Sequence, residues 1–109
     1  MDNEKIYLAY ITTPSEEVST KIATILVENK LVACCNILPQ IKSIYTWKGE
    51  ICNDRESLMI IKTIQSNIEK VISTVKENHP YEVPEIIFTE VIDGNSSYLD
   101  WVRNSCNKN

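Results

Sequence analysis

The chain predicts an α+β fold of the ferredoxin-like sandwich type, β-α-β-β-α-β, with a long central hairpin and a short C-terminal helix. Three observations carry this. Short apolar runs rich in β-formers alternate with two stretches of helical periodicity in the order that this fold requires. Both helical stretches open on a capping-box signature. The two middle strands meet at Lys48-Gly49, a two-residue loop in which glycine can take the positive φ of a tight hairpin. At 109 residues the chain has room for one core, so residues 1–109 read as a single domain.

Ile6-Tyr7-Leu8-Ala9-Tyr10-Ile11 is the first strand, apolar enough to be covered on both faces. In Thr13-Pro14-Ser15-Glu16, Thr13 is placed to cap, Pro14 to open the helix and Glu16 to close the capping box. Val18, Ile22, Ile25 and Leu26 then share one face, with Glu17, Lys21 and Glu28 off it. Leu31–Leu38 reads as the second strand. Pro39 interrupts it in a way that a sheet tolerates only at an edge or a bulge. Pairing resumes at Ser43-Ile44-Tyr45-Thr46-Trp47, and Ile51–Thr63 returns as the third strand. Arms of this length exceed the usual five or six residues of a strand, so the distal hairpin should project past the core and offer its apolar edges to a partner. Ser66-Asn67-Ile68-Glu69 repeats the capping box, and Ile68, Val71, Ile72 and Val75 form a second helix to about Glu77. Ile86–Ile92 is the fourth strand and Asp93-Gly94-Asn95 a turn. Tyr98, Leu99, Trp101 and Val102 are spaced to dock a terminal helix, leaving Asn107-Lys108-Asn109 as a polar tail.

Composition narrows the function. A net charge of −4 argues against nucleic acid or an anionic membrane as the main partner, since both need a concentrated basic surface. No segment approaches the roughly 20 apolar residues of a membrane span. The opening Met1-Asp2-Asn3-Glu4-Lys5 is acidic where a secretory signal is basic and then apolar. The four cysteines include the adjacent pair Cys34-Cys35 and no CxxC, which suits free thiols in a reducing, intracellular compartment.

Few residues offer chemistry. The third strand, Glu56-Ser57-Leu58-Met59-Ile60-Ile61-Lys62, lacks the aromatic platform of an RNA-binding sheet. The first strand-to-helix loop lacks the paired cysteines of a metal chaperone, and neither Gly49 nor Gly94 belongs to a phosphate-cradling run. Cys34 and Cys35 point to opposite faces of a strand, so at most one joins a metal site, and burial in the core is the plainer role. Cys52 and Cys106 look incidental. Trp47 and Trp101 read as packing residues, while Glu56 and Lys62 could pair, line a pocket or face water. His79-Pro80-Tyr81-Glu82-Val83-Pro84-Glu85 concentrates the only histidine, two prolines and three carboxylate-or-phenol neighbours in one connection. It is either a stiff helix-to-strand link or a polar site. No nucleophile-and-base motif is present, which points away from an enzyme.

Seven ordered blocks resemble one family. They are Thr13-Pro14; Leu31-Val32-Ala33-Cys34-Cys35-Asn36; Ser43-Ile44-Tyr45-Thr46-Trp47-Lys48-Gly49; Glu56; Ile61-Lys62-Thr63; the His79–Glu85 stretch; and Tyr98-Leu99-Asp100-Trp101. On these the chain resembles the CutA-like divalent-cation-tolerance proteins over nearly its whole length. The resemblance implies a homotrimer built like the PII signalling proteins, with long hairpins pairing between subunits. It also implies a cytoplasmic or organellar protein linked to tolerance of copper and other divalent metals. The family's polar cluster maps onto Tyr45, Trp47, Glu56, Lys62, His79, Tyr81 and Glu82 near inter-subunit clefts, and its recurrent cysteine onto Cys34. Two positions that hold copper-ligand residues in some members carry Ile11 and Asn78 here. The expectation is therefore weak binding of copper or another divalent cation, through His79 with help from Cys34 or Glu82. The alternative is a PII-like cleft for a small ligand or a partner segment.

Overall fold

A computed structural model describes residues 4–107; the opening Met1-Asp2-Asn3 and the end of the expected polar tail, Lys108-Asn109, lie outside the described residues. Four strands, β1 (Ile6–Thr13), β2 (Cys34–Trp47), β3 (Glu50–Ile64) and β4 (Ile86–Glu90), alternate with helices α1 (Glu16–Glu28), α2 (Ile68–Asn78) and α3 (Ser96–Ser105). The strands form one antiparallel sheet in the order β2-β3-β1-β4. This is the split arrangement anticipated from the periodicities.

Local chemistry explains the boundaries. Ser15, not Thr13, caps α1: its hydroxyl accepts from the Val18 N–H, and Glu16 and Glu17 complement the positive end of the helix. Thr13 is instead fully buried at the end of β1. Its hydroxyl lies 2.8 Å from the Ser15 carbonyl and 2.7 Å from Ser19 Oγ. Past α1, Lys30 turns the chain with φ 54°. The expected second strand therefore starts late: Leu31 and Val32 are buried in the turn, and β2 begins only at Cys34. The second capping box does not form either. Gln65–Asn67 makes a short 3₁₀ turn, and Asn67 points inward to donate to the carbonyls of Leu31 and Asn107. β4 stops at Glu90, two residues short of expectation.

Register places Ala9, Ile11, Met59 and Ile61 on the face that carries α1 and α2. There they meet Ile22, Leu26, Val71 and Val75 in the main core. Leu99 and Val102, rather than Tyr98 and Trp101, dock α3, in a second cluster with Ile6, Ile64 and Cys106. Cys106 is thus a core residue. Tyr98 and Trp101 stay half-exposed with their rings 5.5 Å apart. On the sheet face away from the two long helices, Leu8, Tyr10, Leu58 and Ile60 remain only partly covered, and Leu38 and Ile87 are exposed.

The hairpin is the largest departure from a compact shape. Lys48 (φ 52°) and Gly49 (φ 80°) make the two-residue turn, and pairing runs back from Trp47↔Glu50 to Cys34↔Lys62. Between Leu38 and Ile41 the register slips, with Pro39-Gln40 standing opposite Ser57, as the proline required. A chain of hydroxyls holds this bulge. Ser19 Oγ donates to Ser57 Oγ at 2.9 Å, and Ser57 donates to the Leu38 carbonyl at 3.3 Å. Molecular extents of 50 × 25 × 21 Å reflect the projecting arm.

Candidate ligand-binding cleft

Pro80 cannot continue α2, so the helix ends on His79, whose backbone is extended (φ −94°, ψ 136°). This returns the ring to the end of β1. Nε2 lies 2.7 Å from the Thr12 carbonyl and Nδ1 3.1 Å from the Tyr81 N–H. A carbonyl only accepts and an N–H only donates. The ring is therefore the neutral tautomer with its proton on Nε2, and both nitrogens are engaged by backbone. At 8% exposure, His79 is the buried pin that holds the connection to the sheet. Tyr81 follows it with ring centroids 4.7 Å apart.

Tyr81 carries its hydroxyl across to the hairpin and donates to Glu56 Oε2 at 2.7 Å. Burial, and then this bond, raise the Tyr81 phenol above its ordinary pKa, so it remains a donor. Glu56 is 8% exposed, so of the roles open to it in the sequence it lines the pocket and does not face water. Beyond the bulge, Ile41, Ser43, Tyr45 and Trp47 pair with Glu56, Asp54, Cys52 and Glu50, and directly opposed residues share a face. Tyr45 donates to Asp54, which pushes its phenol up to about 12. Together the hairpin and the connection enclose a cleft of about 710 Å³. The hairpin contributes Ser43, Ile44, Tyr45, Trp47 and Glu56; the connection contributes Pro80, Tyr81, Glu82, Val83 and Glu85; Thr12 closes the end.

Five of the residues expected at a ligand cleft thus converge: Tyr45, Trp47, Glu56, Tyr81 and Glu82. Lys62 is not among them. It sits six residues from Glu56 along β3, about 20 Å at strand rise, and its ammonium reaches Asn36 instead. Cys34 pairs with Lys62 at that same end, its Sγ 3.6 Å from Tyr98 Oη. Nor does the fold join His79 to Cys34. The first anchors at Thr12, whereas the second lies level with Leu8 through Lys62, four residues down β1. Among the described residues no group of three or more His, Cys, Asp and Glu side chains is set to hold one metal ion. Trp47 proves to be a cleft wall rather than a packing residue. Asp54 escaped notice in the sequence, although counting pairs back from the Lys48-Gly49 turn places it opposite Ser43.

The fold and the cleft define a ferredoxin-like α+β protein with an acidic, aromatic cleft between its long hairpin and the α2–β4 connection. Comparison with known proteins gives the family. Residues 7–105 match the model of the CutA1 divalent ion tolerance protein, and the chain belongs to that family. The divalent-cation tolerance protein CutA of Thermus thermophilus is 50% identical over 85% of this chain and 90% of its own length. The chloroplastic protein CutA of Arabidopsis thaliana is 44% identical over 90% of the chain. The chain spans only 54% of that longer relative. The crystal structure of CutA1 from Oryza sativa superposes with a TM-score of 0.94 at 39% identity, covering 97% of both chains.

Proposed function

We propose that this chain is a self-associating binding protein that serves divalent-cation tolerance, and that the cleft receives its ligand. The observation that carries this reading is the convergence of Tyr45, Trp47, Glu56, Tyr81 and Glu82 on one cavity. Its volume falls within the roughly 300–1,000 Å³ typical of small-molecule sites. The assembly is a homotrimer built in the manner of PII proteins. Supporting it, Ile44 and Ile51 on the projecting hairpin are 66% and 79% exposed, and the sheet face opposite the long helices is apolar and open. The role is one of binding, because the only imidazole is occupied by backbone on both sides. A cytoplasmic or organellar location fits the chloroplastic relative.

Light scattering should return three times the chain mass, and Ile44→Lys with Ile51→Lys should reduce it; a wild-type monomer refutes the assembly. A thermal-shift screen of metabolites, repeated on Tyr81→Phe and Glu56→Gln, tests the cleft, and a complete lack of response removes it.

A second reading is weak binding of copper or another divalent cation by His79, Cys34 or Glu82. It is favoured by the similarity to the divalent-cation tolerance protein of Thermus thermophilus. These side chains are separated, and His79 would have to release the Thr12 carbonyl or the Tyr81 N–H to offer a nitrogen, so they form no cage. Calorimetric titration with copper and zinc of wild type, His79→Ala and Cys34→Ala decides it: identical isotherms remove both residues.

A further inference from the structure

The charge of the cleft selects its ligand. Glu56, Glu82 and Glu85 line it, and among the described residues no lysine, arginine or histidine does. The hairpin register sorts charge the same way. Glu50, Asp54 and Glu56 alternate onto the face shared with Tyr45 and Trp47, while Lys42 and Arg55 oppose each other and take the other face. Glu56 adds a second, independent feature. It is a carboxylate more than nine-tenths buried in the cleft wall, with one oxygen taken by Tyr81 and no hydrogen bond made by the other among the described residues. The oxygen left free at the cleft wall is an acceptor for a donor or cation that enters.

The aromatic walls suit a particular kind of cation. Tyr45, Trp47 and Tyr81 line the cleft, and an aromatic ring attracts alkylammonium and guanidinium groups through the negative quadrupole of its face. The Trp47 ring already draws one: the Lys48 ammonium stands 6.0 Å from its centroid. With no set of three carboxylate, thiolate or imidazole side chains placed around one point among the described residues, the lining suits an organic cation better than a bare metal ion. Resting on the reading of this cleft as the ligand site, we infer that it binds a small organic cation bearing an ammonium or guanidinium group. The charged head lies against Glu56 and the alkyl stem against Trp47 and Val83.

The test uses the full chain with Trp101→Phe, which leaves Trp47 as the sole tryptophan. Spermidine, agmatine and, as the anionic control, glutarate are titrated by calorimetry and by Trp47 fluorescence, with light scattering on the same samples. Spermidine or agmatine should bind and shift the emission, glutarate should do neither, and Glu56→Gln should weaken binding about tenfold or more, the loss of a charge-assisted contact. Should Glu56→Gln misfold by circular dichroism, Trp47→Leu at the exposed hairpin decides, and must also weaken binding. Equal affinity in the folded variants overturns the inference. So does silence from both cations, or tighter binding of glutarate. If glutarate binds and Trp47→Leu abolishes it, the cleft survives as a ligand site and only the cation is wrong. A monomer that binds spermidine refutes the assembly and not the ligand.

Discussion

Replacing His79 by alanine removes one buried and one partly buried hydrogen bond at once, and the loss can be worked out from their geometry. The ring donates from Nε2 to the Thr12 carbonyl at 2.7 Å and accepts at Nδ1 from the Tyr81 N–H at 3.1 Å. Each neutral bond contributes about 1 kcal/mol net, and a buried partner left without one costs about 1–3 kcal/mol. With the ring only 8% exposed, water reaches the site poorly. The alanine variant should therefore lose about 2–4 kcal/mol. Glutamine can place its amide N–H near the position of Nε2 and should recover about half of that, because it restores the Thr12 bond and not the Tyr81 bond. Urea unfolding at fixed protomer concentration reads both numbers, since association adds its own stabilisation by mass action. A loss below about 1 kcal/mol for alanine would refute the assignment of His79 as the pin of the connection. Glutamine behaving like alanine would refute the tautomer.

Three further outcomes follow from neighbouring features. Gly49→Ala meets no atom within 4 Å but must hold φ 80°, so urea unfolding should show a loss of about 1–2 kcal/mol from backbone strain alone. Ser19→Ala interrupts the buried hydroxyl chain between Thr13 and Ser57 and should cost about 1–3 kcal/mol in the same assay. Burial pushes the Cys35 thiol up to about 12 and the Cys106 thiol up to about 11, from 9.0. Above pH 9 the unfolded chain loses these protons while the folded one keeps them, so stability is full below that pH and falls as it rises towards 11–12. At pH near 8, iodoacetamide should modify Cys35 and Cys106 slowly in the folded chain and rapidly in urea.

The element order, the turn at Lys48-Gly49 and the bulge at Pro39 were legible because each rests on a local rule: periodicity, positive φ or a missing N–H. The caps were legible in kind and misplaced in detail. Thr13 and Ser15 both suit an N-cap, and only the tertiary demand for Thr13 beside Ser19 and Ser57 moves the cap to Ser15. The box expected from Ser66 to Glu69 likewise gives way to a 3₁₀ turn, in which Asn67 points inward to satisfy the Leu31 carbonyl. The cleft was half legible. Its residues could be named, but the burial of Glu56 depends on Tyr81 arriving from 25 positions away, a contact with no local signature. Lys62 was included because it stands in a shared block, and strand rise carries it to the other end of the sheet.

The slip between Leu38 and Ile41 is also a change of phase. Before it, odd-numbered residues of β2, Cys35 and Ile37, face the helices; after it, odd-numbered Ser43, Tyr45 and Trp47 face away from them. One strand thereby carries two alternation codes, the proximal one written for the core and the distal one for the cleft. Either can be rewritten without disturbing the other, so long as Pro39-Gln40 remains opposite Ser57. The hydroxyl chain from α1 holds that junction in place, so a change as remote as Ser19 should be felt at the aromatic wall of the cleft before it is felt in the sheet.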